Sequence, residues 1–430
     1  NKKYYLTVFI LVLYYTIQIS SVLSTNNSFG YRWSRTWGGT STDVGYGVAV
    51  DSSDNIYFVG YTESYGPGYV AMLVLKYDDS GTLLWNRTWG GSDYDNCYAV
   101  AVDSSDNVYL AGETDSFGAG GYDMILVKFD NSGVQLWNRT WGGSTISKRD
   151  DAWGVTVDSL DNVYLVGETN DFGEGEEDMV LVKYDSTGAQ LWNRTWGGSL
   201  SDSGLEVAVD SSDNVYLAGR SYSFGAGEAD MVLVKYDSTG EQLWNRTWGG
   251  TLSDEGLGVT IDSSDNIYLT GTTYSFGEGD RDMVLVKYDS TGEQLWNRTY
   301  GGNRFDDAND VMIDSFDNVY IVGDTKSIPK IEPDIVMVKY TSSGVQLFNQ
   351  TWGGDYIELC YGGAIDSADN VYLGGTKDDY ASMSNMLLVK FGYREEQGQG
   401  KPEISGYSLL IVLSLIGLIT VAYSKRKYKK

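Results

Sequence analysis

Seven acidic side chains recur at one place in this chain. The fourth residue past a Gly-Gly pair is Asp43, Asp95, Asp202, Asp254, Asp306 and Glu358, and a three-residue insertion moves the match to Asp150. Oxygen-only ligands of this kind suit Ca²⁺. If they ring one opening with neighbours about 10 Å apart, each pair repels by only ~0.4 kcal/mol in water. The seven are therefore candidate metal ligands, and Ca²⁺ is the one cofactor they suggest. Two points weigh against the metal. The chain has no Asp-x-Asp-x-Asp-Gly calcium loop, and an Asp in such a place also caps its own loop by accepting a backbone N–H.

A second set points to modification. Asn86, Asn138, Asn193, Asn245, Asn297 and Asn349 each head an Asn-x-Thr triplet, and Asn26 heads an Asn-x-Ser triplet. These are acceptor sequences for glycosylation; the same residues also suit a strand edge. A third set is Gly-rich, Ser116-Phe117-Gly118-Ala119-Gly120 and its counterparts at Phe172, Phe224 and Phe276. It lacks the Lys and helix N-terminus of a phosphate cradle. Its Phe can form a binding platform or pin its own loop. The corresponding loops at Tyr65-Gly66-Pro67-Gly68, Ile328-Pro329-Lys330 and Asp378-Asp379-Tyr380 depart from the pattern and mark a side for a partner to dock.

Composition removes several chemistries. There is no histidine, so Ser-His-Asp and Cys-His nucleophiles and His zinc ligands are excluded. Cys97 and Cys360 occupy the same position of two different repeats and read as small buried apolar residues, too far apart for a disulfide. The net charge is −28, and seven of the 31 basic residues lie at the two ends. An acidic middle disfavours nucleic acid, whose phosphates need neutralising.

The elements that position these residues are set by a repeat. Trp85-Asn86-Arg87-Thr88-Trp89-Gly90-Gly91 recurs from Trp137, Trp192 and Trp244, with small changes from Trp33, Trp296 and Phe348, at intervals of 52 or 55 residues. Between copies lie three short runs of β-branched and aromatic residues bounded by Asp, Asn, Ser and Gly, and each copy is itself a fourth, the marks of strands. Four antiparallel strands in each of seven such repeats predict an all-β, seven-bladed β-propeller. The last repeat supplies three strands and Arg32 to Thr36 is an orphan fourth. Pairing them closes the ring and removes an exposed edge. The first strand of each blade then lines a central channel, with the acids at its mouth.

The Gly-Gly loop followed by Val-Asp-Ser-Ser-Asp-Asn-Val-Tyr resembles the SBBP repeats of secreted prokaryotic propellers, over residues 29–393. The resemblance implies surface or secreted placement and supplies no catalytic residues. Residues 1–24 read as a signal peptide, 25–394 as the propeller and 395–403 as a linker. Residues 404–424 are apolar enough for a transmembrane helix, followed by a basic tail at 425–430 that favours the cytoplasmic side. That ending also looks like PEP-CTERM and PGF-CTERM sorting tails, which imply cleavage and re-anchoring.

The expectation is a cell-surface, single-pass membrane protein with an extracellular propeller. Near-identical blades without a polar cluster of their own point to a non-enzymatic recognition, adhesion or scaffolding module, with an extracellular protein or a glycan as ligand. The alternatives are a polysaccharide hydrolase or lyase using channel carboxylates, and a surface lattice or filament subunit. For an enzyme the nearest blade-specific feature is Asp150-Asp151 beside Lys148-Arg149.

Overall fold

Each repeat folds because its third run, such as Asp282-Met283-Val284-Leu285-Val286-Lys287-Tyr288, is buried along its whole length. Such a run requires cover on both faces of its sheet. A computed structural model describes residues 29–327, 332–378 and 383–393. It contains 28 strands in seven four-stranded antiparallel sheets. Blade one is β2 (Asp43–Val50), β3 (Ile56–Thr62), β4 (Ala71–Tyr77) and β5 (Leu83–Trp89), in that order. Blade seven is β26 (Ile357–Ile365), β27 (Val371–Asp378) and β28 (Asn385–Gly392), completed by β1 (Gly30–Trp37). The orphan strand thus closes the last blade, and β2 lies beside β26 at the closed joint.

The core lies between blades. Tyr57, Met72 and Val74 of blade one pack on Cys97, Leu110 and Ile125 of blade two. Val48, Phe58 and Leu73 pack likewise on Tyr372, Met386 and Leu388 of blade seven. Cys97 and Cys360 are free and buried. The Trp-Asn-Arg-Thr-Trp strand clasps its neighbour: Arg87 Nε donates to Gly133 O at 2.8 Å and Trp85 Nε1 to Asn131 O at 3.2 Å, both on blade two. The Asp-Ser-Ser-Asp-Asn turn does more than reverse the chain. Its second Asp is left-handed, with φ of 57 to 61° in every blade. Its carboxylate takes a Ser of the preceding blade, as in Ser211 N and Oγ to Asp265 at 3.1 and 2.9 Å. Ser367 of blade seven meets Asp54 of blade one in the same way, at 3.0 and 2.8 Å.

Among the described residues no helix is long and apolar enough to cross a membrane. The signal peptide, the 404–424 helix, the basic tail, Asn26 and the loops at 328–330 and 379–380 lie outside the described residues.

Candidate functional site

The innermost strand of every blade carries a β-bulge. The inner strands of blades two to six are β6 (Asp95–Val102), β10 (Asp150–Val157), β14 (Asp202–Val209), β18 (Asp254–Ile261) and β22 (Asp306–Ile313). Register with the second strand slips between Gly45 and Val48, Cys97 and Ala99, Ala152 and Gly154, Gly204 and Glu206, Gly256 and Gly258, Ala308 and Asp310, and Cys360 and Gly362. A bulge leaves one residue unpaired and re-aims its side chain. A glycine opposite makes room for it, since a Cβ at Gly219 would lie 1.9 Å from Ser203 O.

The bulged residues are Tyr46, Tyr98, Trp153, Leu205, Leu257, Asn309 and Tyr361, and all seven line a central cavity of about 360 Å³. The residue after the bulge is Gly or Ala in five blades. In blades four and six it is Glu206 and Asp310, which flank blade five and also line the cavity. Both are closely surrounded by protein and partly exposed to the channel. Burial and the charge of Asp310 push Glu206 up to about 8, against one backbone bond from Val207 N at 2.8 Å. Burial pushes Asp310 up to about 6, moderated by the Gly363 and Val311 amides at 2.8 and 2.6 Å. At neutral pH one carboxyl keeps its proton and the other is ionised. Two acids driven apart in this way can serve as proton donor and acceptor.

Two more acid clusters are specific to particular blades. Glu113 and Asp151, 2% and 4% exposed, share one proton. Burial and the charge of Glu113 push Asp151 up to about 9. Glu113 is held low, despite its burial, by hydrogen bonds from Asp151 and Tyr98 and by Arg149. In blade six, burial and Asp307 push Asp324 up to about 7. Asn309 Nδ2 donates to Asp324 at 3.2 Å, and Arg281 pairs with Asp307. Arg220 lines the channel and a second groove between blades three and four. It pairs with Glu255 at 3.1 Å, yet its Nε is buried without a partner, as is Nε1 of Trp153.

The structure separates the residues anticipated from sequence. Asp43, Asp95, Asp150, Asp202, Asp254, Asp306 and Glu358 are at most 1% exposed. The six aspartates open their inner strands rather than standing at a loop mouth, and Glu358 is the second residue of β26. Each turns into its own blade. Asp254 accepts from Gly250 N at 2.7 Å and from the Thr273 hydroxyl, and Glu358 from Gly354 N at 3.1 Å. No group of three or more potential ligands that could hold a metal occurs among the described residues. Asn86, Asn138, Asn193, Asn245, Asn297 and Asn349 are exposed on the outermost strands. Phe117, Phe172, Phe224 and Phe276 are 45–46% exposed, and each packs on the second Trp of the preceding blade at 5.0–5.1 Å. Of the pair proposed for an enzyme, Asp150 is spent on its loop, whereas Asp151 joins the Glu113 cluster.

A family model described as a beta-propeller repeat, SBBP, matches residues 32–66 and 88–118. Regulatory protein FlaEY of Caulobacter vibrioides is 25% identical over 244 residues, covering 47% of this chain and 25% of that protein. The uncharacterized WD repeat-containing protein L264 of Acanthamoeba polyphaga mimivirus is 21% identical over 416 residues, covering 67% of this chain and 30% of that protein. The chain thus spans a quarter to a third of the curated relatives it matches. Among solved structures, polysaccharide lyase Uly1 has 10% identity and a TM-score of 0.48, with 84% and 92% of the two chains covered. The endo-1,5-alpha-L-arabinanase of Thermotoga petrophila has 14% identity and a TM-score of 0.33, with 83% and 100% covered. These values describe a likeness of fold.

The expectation of a non-enzymatic recognition, adhesion or scaffolding module is corrected. It rested on seven blades without a polar cluster of their own. The channel instead carries Glu206 and Asp310, at a position where the other five blades have Gly or Ala. Blades two, three and six add acid clusters that the rest lack. Denying catalysis outright was therefore wrong.

Proposed function

We propose that the chain is a glycan hydrolase with its reacting centre in the channel between blades four and six. The observation that carries this is the pair Glu206 and Asp310, protonated and ionised at the same pH. Glu206 gives its proton to the glycosidic oxygen as the bond to the anomeric carbon breaks. Asp310 takes the proton of the water that adds to that carbon, and its charge offsets the positive charge developing on the sugar. Water is consumed, and proton exchange with solvent restores both groups.

Hydrolysis is favoured over elimination by the charge of the walls. A lyase acts on a uronate and must neutralise the carboxylate of the sugar. The cation lining this cavity, Arg220, is already paired with Glu255, and the acidic side chains of the lining are Glu168, Glu206 and Asp310. The substrate is therefore an uncharged glycan. The apolar run and basic tail of the sequence support a place at the cell surface, where such polymers occur.

The test is release of reducing ends from xylan, mannan, arabinan and cellulose, with polygalacturonate and alginate as charged controls. Activity on an uncharged polymer that falls at least a hundredfold in Asp310→Asn supports the reading. Activity confined to the uronates, or an Asp310→Asn variant as active as wild type, refutes it.

A further inference from the structure

Three acids line the channel, Glu206 and Asp310 on blades four and six and Glu168 on blade three, and the wall from blade seven to blade three is aromatic. Tyr361, Tyr46, Tyr98 and Trp153 are the bulged residues of four consecutive blades, seven, one, two and three. Their rings form a continuous arc. Tyr361 and Tyr46 are 5.0 Å apart at 30°, Tyr46 and Tyr98 5.2 Å apart at 90°, and Tyr98 and Trp153 4.4 Å apart at 24°. We propose that this arc is a stacking subsite that holds uncharged sugar rings and feeds the chain to the acid pair. The proposal rests on the reading of Glu206 and Asp310 as the reacting pair.

The fold does not require these rings. The same bulge is built with Leu205 in blade four, Leu257 in blade five and Asn309 in blade six. The chain has 13 tryptophans, and 12 belong to the outer-strand motif; Trp153 alone stands in the channel. A buried network also serves one ring of the arc. The Tyr98 hydroxyl donates to Glu113 at 2.7 Å, Asn96 Nδ2 donates to the same oxygen at 2.7 Å, and Arg149 grips the other. That network holds the Tyr98 ring in one orientation; in blade six the bulged Asn309 makes the corresponding bond, to Asp324 at 3.2 Å. It answers what the Glu113, Asp151 and Arg149 cluster is for: these are positioning residues, remote from the reacting atoms. The unpartnered Nε1 of Trp153 is a cost that persists at functional sites. A pyranose ring offers an apolar C–H face that matches the electron-rich face of an aromatic ring, while its hydroxyl edges reach the polar wall.

The experiment uses the full chain with Glu206→Gln, so that ligand is not turned over. It is titrated with cellohexaose, mannohexaose, xylohexaose and arabinohexaose, with hexagalacturonate as the charged probe, by calorimetry and tryptophan fluorescence. Trp153→Leu and Tyr46→Leu are the test variants, because leucine already fills this bulge in blades four and five. At least one uncharged hexasaccharide is expected to bind with a fluorescence change that Trp153→Leu abolishes. Each variant should weaken binding at least tenfold without lowering the melting temperature. Hexagalacturonate should bind at least tenfold more weakly. Binding unchanged in both variants, a preference for hexagalacturonate, or no binding by any of the four uncharged sugars overturns the subsite. Cleavage by wild type with binding indifferent to Trp153→Leu leaves the hydrolase and removes the arc. Binding lost in Trp153→Leu, with no cleavage by wild type, leaves the arc and removes the hydrolase.

Discussion

Replacing Glu206 with Gln keeps the shape of the side chain and removes the proton it would donate. A general acid contributes about 10² to 10⁴ in rate, or ~2.7 to 5.4 kcal/mol at ~1.36 kcal/mol per decade. The wild-type profile of kcat/KM should be a bell. Its acid limb follows Asp310 at about 6 and its alkaline limb Glu206 at about 8. In Glu206→Gln the alkaline limb should vanish, the acid limb should stay, and the loss should be recovered with a dinitrophenyl glycoside, whose leaving group needs no proton. Stability supplies a check that needs no substrate. An ordinary Glu titrates at 4.5, whereas Glu206 holds its proton in the folded chain to about 8. Between those values the folded state binds more protons than the unfolded state, so stability falls as pH rises and levels off above the window. The slope can reach ~1.4 kcal/mol per pH unit, and channel water brings it below that ceiling. Urea denaturation at several pH values should show Glu206→Gln gaining on wild type across the window. An alkaline limb retained in the variant refutes the acid assignment, and a constant gap in stability refutes the argument for its raised pKa.

Arg246→Ala removes hydrogen bonds to Gly292 O and Thr291 O, at 2.7 and 3.2 Å, and a guanidinium 5.0 Å from the Trp244 ring. A loss of about 1.5 to 3 kcal/mol in urea denaturation is expected; a neutral result means the clasp adds nothing to packing. Ser367→Ala and Ser211→Ala remove the same contact at the closing joint and inside the ring. Equal costs of about 0.5 to 1.5 kcal/mol are expected, and a much smaller cost at Ser367 would show a ring already open there. Asp254→Asn weakens a buried, fully engaged cap and should cost about 1 to 3 kcal/mol, equally in Ca²⁺ and in chelator. A loss seen only with Ca²⁺ would support the metal reading of the acids.

The fold was legible because the repeat states it seven times over. The closing strand was legible for the same reason, since an orphan fourth strand and a three-stranded last blade have one partner each. The direction of the inner side chains was not legible. Alternation along Asp202-Ser203-Gly204-Leu205-Glu206-Val207 assigns faces only while pairing is regular, and the bulge at Leu205 interrupts it. The acids chosen from sequence lie before that slip and turn into the blade; Glu206 and Asp310 lie just after it and reach the channel. A signal existed in the columns of the repeat. Eight residues past the Gly-Gly pair stand Gly47, Ala99, Gly258 and Gly362, against Glu206 and Asp310. One residue earlier the column is aromatic in blades seven, one, two and three. The acids that recur in every blade form the candidate metal set, and recurrence in every blade is also what a cap needed by each blade produces.

The ring separates what holds it together from what differs around it. Most joints repeat the same contacts, such as the buried pair of Lys287 and Asp262 at 3.2 Å with Lys287 reaching Ser342 O of the next blade. Breaking one such pair leaves a buried charge, at a cost of about 3 to 5 kcal/mol, so these positions cannot vary freely. The bulge and the residue after it line the channel. Leucine, asparagine, tyrosine and tryptophan all occupy the bulge on the same backbone, and glycine, alanine or a carboxylate occupies the next place. In blade six they also add bonds of their own to blade seven, from Asn309 Nδ2 to Cys360 O and from Gly363 N to Asp310, both at 2.8 Å. The result is a channel whose wall is aromatic from blade seven round to blade three, with Glu206 and Asp310 on blades four and six. The arc meets this pair at both ends, Trp153 of blade three beside blade four and Tyr361 of blade seven beside blade six. A segment bound along the arc therefore lies within reach of both acids, and variation at two columns of the repeat is enough to place them there.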